Sequence, residues 1–218
     1  MNFTRLFLYI LLSFPLFVNA QQTSDNGVFV YTVRVKNTVT GTMGVLLTDS
    51  IFVYNRIGIE KVLRSDDLII NDKLTTTTNL DTYYRINFDK RQFQELGKAP
   101  IFIKEAGIPF TTPKKKGINF MYRNYNGEKY TATDTLIKGK PCKVFRFIAN
   151  AESPLKGAHV TLVFSDMKNK GIHIIPNLED TFNGRFLSLE AVRGKDERIV
   201  LYMEHIQPLS DYWKKVIR

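Results

Sequence analysis

Apolar and polar residues alternate with a period of two along most of this chain, as strands with one wet and one buried face require. In Tyr31-Thr32-Val33-Arg34-Val35-Lys36 every second side chain is apolar. Val160, Leu162 and Phe164 share a face, and Val163 opposite them predicts a strand partly covered on both sides. Leu187, Leu189 and Ala191, the turn-like Arg193-Gly194-Lys195-Asp196, and then Ile199, Leu201 and Met203 predict a hairpin. Val45-Leu46-Leu47, Thr48-Asp49-Ser50 and Ile51-Phe52-Val53-Tyr54 predict strand, turn and strand. Strands from Thr133 to Ile137 and from Val144 to Ile148 flank Gly139-Lys140, with Gly as first central residue of a two-residue turn. Thr75-Thr76-Thr77-Thr78 predicts an edge strand or a loop between strands.

Helical signals are few. Phe88–Gly97 predicts a short helix, with Asp89 as cap, Gln92 reaching back, Phe88 stapled to Phe93 and Gly97 closing the end. Ser210–Arg218 predicts a second, with Ser210 as cap, an acid in the first turn and cations in the last. Roughly ten strands with one or two short helices predict a mainly β or α+β domain. Its antiparallel sheet is expected to be strongly curved, a half-barrel around a small helix, with a sandwich as the alternative.

The chain starts Met1-Asn2-Phe3-Thr4-Arg5, runs uncharged from Leu6 to Val18, and reaches Asn19-Ala20. These are the three parts of a secretory signal, predicted over residues 1–20 with cleavage after Ala20. The run is shorter than the roughly twenty apolar residues that span a bilayer, and Pro15 interrupts it, so no membrane span is expected in the mature chain. Residues 21–218 suit a single β-rich domain, secreted or periplasmic.

Charge adds a partner class. Lys and Arg number 31 against 21 Asp and Glu, a formal balance of +10, which attracts anionic lipid head groups, polysaccharides or nucleic acid. Export disfavours nucleic acid. The densest basic stretch, Pro113-Lys114-Lys115-Lys116-Gly117, is expected as a solvated loop between Pro and Gly. Beyond it, Phe120–Gly127 mixes aromatic and polar groups. Lys114, Lys115, Lys116, Tyr122, Arg123 and Tyr125 are therefore the candidate ligand or partner contacts, through charge, stacking and cation-π attraction.

Catalytic patterns are weak. Cys142 is the one cysteine, so no intramolecular disulfide forms. His159, His173 and His205 lack the close spacing of a metal site, and there is no Gly-x-Ser-x-Gly elbow or glycine-rich phosphate loop. Cys142 with His159 or His173 would make a nucleophile pair only if the fold joined them. Asp66-Asp67 and Glu179-Asp180 are chain neighbours, poorly placed for a convergent acid and base. No catalytic residue, cofactor or metal is assigned.

The leader, an opening strand, Ile137-Lys138-Gly139-Lys140-Pro141-Cys142-Lys143, and Ile175-Pro176-Asn177-Leu178 followed by Gly184-Arg185-Phe186-Leu187 resemble the bacterial exported family named for its Gly-Leu-Pro-Gly-Leu-Ile motif. The naming hexapeptide is absent here, and Pro141 precedes Cys142. The resemblance implies an envelope or secreted protein with an open, LolA-like half-barrel outline, an apolar cavity in some cases loaded with acyl chains, and no catalytic residue to transfer. The expected function is non-enzymatic binding of an apolar or amphipathic ligand or an envelope partner, whether lipid, glycan or protein. A structural or adhesion sandwich and a secreted hydrolase are the alternatives.

Overall fold

A computed structural model of the chain describes residues 26–38, 40–70, 73–101, 105–120, 130–150, 155–165 and 172–218, with backbone alone at 66–70, 73–75, 177 and 205–207. Eleven strands form one open antiparallel sheet: β1 (Gly27–Lys36), β2 (Met43–Tyr54), β3 (Ile57–Ile70), β4 (Lys73–Asn87), β5 (Gln92–Gly97), β6 (Ile108–Pro109), β7 (Tyr130–Ile137), β8 (Lys140–Ile148), β9 (His159–Ser165), β10 (Arg185–Arg193) and β11 (Glu197–Gln207). Two helices, α1 (Pro176–Phe182) and α2 (Asp211–Ile217), accompany it among the described residues. The order is β6-β5-β4-β3-β2-β1-β11-β10-β9-β8-β7. Two meanders thus run outward from the centre, where the first and last strands pair from Val28 against Gln207 to Val35 against Ile199. β6 and β7 lie at opposite edges, and the described part of the chain joining them, residues 110–120, runs over the sheet as far as Glu60 and Tyr31.

One face carries a continuous apolar cluster from Phe93 on β5 through Tyr84, Ile51, Tyr31 and Leu189 to Phe147 on β8. Two segments without strand structure cover it. Residues 110–120 bring Phe110, Ile118 and Phe120, and residues 172–178 bring Ile172, Ile174, Ile175 and Leu178. Register irregularities at Val28/Phe29, Val33/Arg34, Val62/Leu63, Tyr83/Tyr84 and Phe186/Ser188 add the local bend and twist of bulges. On the opposite face α2 packs Ile217 with Ile59, Leu96 and Leu209, while Trp213 stacks on Phe52 with ring centres 3.9 Å apart.

Among the expected elements, the β10–β11 hairpin and α2 form as read, although Ser210 makes no side-chain capping bond. The single sheet is the curved-sheet alternative rather than the sandwich. Three readings are corrected. Thr48-Asp49-Ser50 is no turn, because β2 runs unbroken past it and the turn falls at Asn55-Arg56, both at positive φ. The helix expected over Phe88–Gly97 is a turn and strand β5: Arg91 takes φ 53, Asn87 accepts the Lys90 N–H at 2.9 Å, and Gln92–Gly97 pairs with β4. Phe88 and Phe93 each find aromatic partners in the core, Phe120 and Tyr84, and this packing overrides local helix signals. The β7–β8 turn is centred on Lys138-Gly139, one residue earlier than read, with φ 51 and 74; glycine at the second position is what this mirror-image turn prefers. Thr75–Thr78 is strand, paired with β3. Residues 1–20, expected as a signal, lie outside the described residues, among which no helix is long and apolar enough to cross a membrane.

Replacing Trp213 by Ala removes the stack on Phe52 and the tilted contact with Tyr83. The half-buried position implies a loss of about 2 kcal/mol in urea unfolding.

Candidate functional site

Alternation brings three polar side chains onto the apolar face. Tyr31 stands directly across from Asp49 in the β1–β2 register, and Ile51, two residues along β2, stands across from Glu60. All three are buried. A carboxylate taken out of water must find a partner or change its charge. Glu60 finds three: the Lys114 ammonium pairs with Oε2, the Tyr31 hydroxyl donates to Oε1 at 2.5 Å, and the Ile118 N–H donates to Oε1 at 2.8 Å. Asp49 accepts the Leu63 N–H at 2.9 Å, with the Tyr31 hydroxyl 3.3 Å away. Burial pushes the Asp49 carboxyl up to about 6, against the Leu63 bond. Burial, aided by the Glu60 and Asp49 carboxylates, holds the Tyr31 phenol well above its usual range. Burial also lowers Lys114, with Glu60 opposing it.

Lys114 and Ile118 both belong to the 110–120 segment, so Glu60 is the point at which that strap is fastened to the sheet. The strap's own chemistry fits the anchor. Its ammonium lies over the Tyr84 and Phe120 rings, 4.7 and 5.0 Å from their centres, and Phe120 stacks on Phe110 at 4.4 Å. Asn119 accepts the Lys114 N–H, closing the loop on itself. Gly117 takes φ 74 against the carboxylate, where a Cβ would stand 2.5 Å from Glu60 Oε1.

The second covering segment is also held at a buried carboxyl. Glu179 on α1 accepts the N–H of Ile175 at 3.1 Å and of Phe186 at 2.9 Å. Burial nevertheless raises its carboxyl to about 8, outweighing these bonds. Its Oε2 stands 3.7 Å from His173 Nδ1, which has no hydrogen-bond partner among the described residues. Burial lowers His173, with Asp180 opposing, so a neutral ring faces a largely neutral acid. Arg91 pairs with Asp180 at 3.1 Å and Arg56 pairs with Asp89, tying α1 and the β2–β3 turn to the β4–β5 turn.

The structure separates the sequence candidates. Lys114 turns inward, correcting the solvated loop expected for it, because Glu60 needs a cation; Lys115 is exposed, and Lys116 pairs with Asp81 at 2.7 Å. Tyr122, Arg123 and Tyr125 lie outside the described residues. Cys142 is buried opposite Ser165, while His159 pairs with Ile148, so the β8–β9 register puts them at opposite ends of the strands. No group of three His, Cys, Asp or Glu able to hold a metal occurs among the described residues. Tyr130, Arg146, Phe147, Ile148 and His159, with neighbouring positions, line an open depression of 310 Å³ on β7–β9. Asp49, Glu60 and Glu179 were missed as site residues. A charge at the core-face position of the Asp49-Ile51-Val53 alternation was the available signal for the first.

Lys114→Met leaves Glu60 buried without its cation and is expected to cost about 3–5 kcal/mol. A double-mutant cycle in urea with Glu60→Gln should show a smaller loss for the pair than the summed single losses. Glu179 gives a pH signature. Its folded-state pKa lies above the ordinary 4.5, so its contribution is full below 4.5 and is lost as pH rises through 8. Above about pH 6.5 Asp49 is ionised and His173 neutral, which isolates Glu179 in the upper part of that window. Wild-type stability should fall from about pH 6.5 to 8.5 more steeply than that of Glu179→Gln, measured by urea midpoints.

No protein-family model matches this chain, and the search of curated proteins returned no match.

Proposed function

We propose that the chain is an exported, non-enzymatic binding protein that holds an apolar or amphipathic ligand against the covered face of its sheet, with the 110–120 strap as the element that gives way. The observation that carries this reading is the way the face is closed. A broad apolar surface of an open sheet is covered by two segments without strand structure, each fastened at one buried carboxyl, Glu60 or Glu179. Strand-to-strand closure would have made the interior permanent. A buried ion pair adds little net stability compared with apolar packing of the same volume, and its best-attested use is in setting a register or a switch. Under the strap lie Tyr84, Phe88 and Val62, which meet its own Phe110, Ile118 and Phe120 in an aromatic and aliphatic layer of the type that apolar ligands prefer.

The chemistry at the strap's outer side fits the head of an anionic amphiphile. Lys115 is exposed and Lys116 nearly half so beside the strap, and the whole chain is strongly cationic. Tyr122, Arg123 and Tyr125 follow directly in the sequence and complete the proposed contact set. The resemblance to the exported family points the same way. Cleavage after Ala20 would deliver the domain to the periplasm or beyond.

The test uses protein recovered from the envelope fraction and examined by native mass spectrometry. Expected are a mature chain beginning at Gln21 and an adduct in the mass range of a lipid or fatty acid. A fluorescent fatty acid should bind the delipidated protein, and Lys114→Met, still folded by circular dichroism, should bind several-fold tighter because its strap opens more often. Absence of any adduct, together with no fatty-acid binding by either protein, would contradict the reading.

A further inference from the structure

The sheet's two open edges are treated differently. At one end β6 is two residues long and contains Pro109, which lacks an N–H to offer. At the other, β7 is eight residues long, carries no proline, and every one of its side chains is exposed. It pairs with β8 from Tyr130 against Phe147 to Ile137 against Lys140, so its far side presents a row of backbone donors and acceptors that no other described strand matches. Its sequence, Tyr-Thr-Ala-Thr-Asp-Thr-Leu-Ile, is rich in strand formers. Such an edge is a template for another strand.

We propose that β7 pairs with β7 of a second copy of this chain, antiparallel about a two-fold axis at Thr133, joining two sheets edge to edge. The self-complementarity of the strand selects this occupant. A two-fold axis perpendicular to the sheet keeps each residue on its own face, so only residues of like parity can stand opposite one another. Centred on Thr133, the register sets Tyr130 across from Leu136 twice, Thr131 across from Thr135 twice, Ala132 across from Asp134 twice, and Thr133 across from itself. Tyr130 and Leu136 are large apolar side chains left 53% and 70% exposed in the single chain, and this register covers both. Threonine pairs are favourable cross-strand neighbours. No like charges meet, since the one carboxylate of the strand, Asp134, faces alanine and keeps its own cation, Lys143, at 2.8 Å. Moving the axis one residue to Asp134 would set two aspartates face to face and lose the Tyr130–Leu136 contacts.

The register can be read by cross-linking, because the only native thiol, Cys142, is buried. Residues directly opposite across an antiparallel pair have Cα atoms about 4.5–5.5 Å apart, within disulfide reach. In Thr133→Cys the new thiol meets its own copy on the axis. In Thr131→Cys, which faces Arg146 rather than Cys142 across β8, the two thiols lie about four residues, or ~14 Å, apart and cannot join. Expected are a dimer of the wild-type chain in sedimentation equilibrium at tens of micromolar, rapid disulfide dimer from Thr133→Cys under mild oxidant, and none from Thr131→Cys. Thr133→Lys, which sets two like charges on the axis at an exposed position, should sediment as a monomer with an unchanged circular dichroism spectrum. A wild-type chain that stays monomeric at 200 micromolar would overturn the proposal, as would equal cross-linking of both cysteine variants.

Discussion

A carboxylate on the apolar face of a sheet sets the terms for the rest of this molecule. Glu60 has no access to water, so its charge must be met from within, and the sheet itself supplies only the Tyr31 hydroxyl. The remaining partners, the Lys114 ammonium and the Ile118 amide, come from a segment more than fifty residues further along the chain. Satisfying Glu60 therefore places the strap, and placing the strap brings Phe110, Ile118 and Phe120 onto the apolar surface. Packing and charge neutralisation act together: an unfastened strap leaves a wet aromatic face, and a closed strap without Lys114 leaves an uncompensated buried charge.

Topology makes the strap necessary. A sheet built as two meanders that meet through β1 and β11 leaves its middle strands anchored at both chain ends and its outer strands at opposite edges. The described part of the link between β6 and β7, residues 110–120, lies on the apolar face, the one that needs cover. The 172–178 segment and α1 do the same work over β8 to β10, with Glu179 holding the N–H groups of Ile175 and Phe186. The two anchors differ in kind. Glu60 is held by a cation, whereas Glu179 is surrounded by amides and an imidazole and takes up a proton instead. One fastening therefore depends on charge pairing and the other on pH.

What could be read from the sequence follows the range of the forces involved. Period-two alternation reports only which face each residue takes, a local property, and it located β9, the β10–β11 hairpin and the general architecture. α2 was legible from its charge order, Asp211 early and Lys214 and Lys215 late. Phe88–Gly97 misled because its capping signals are real but weak, and Phe88 and Phe93 gain more from Phe120 and Tyr84 across the sheet than a two-turn helix offers. α1 is too short for periodicity; only Pro176 at its first turn and Asn183 in the left-handed closing position mark it. The anchors were hidden for another reason. Asp49 sits among Thr and Ser, a turn composition, and Lys114 sits among other lysines, a surface composition. Their burial is decided by partners distant in the chain, which local pattern does not encode.

Hydrogen–deuterium exchange at the Ile118 amide tests most directly whether the strap is a separately opening element fastened by Glu60 and Lys114. If it is, that amide exchanges through an opening that leaves the β1–β11 ladder protected, and Lys114→Met accelerates Ile118 while the ladder amides near Tyr31 and Val33 keep their rates. Exchange of Ile118 in step with the central ladder in both proteins would show the strap to be an inseparable part of the core, and the account would fail.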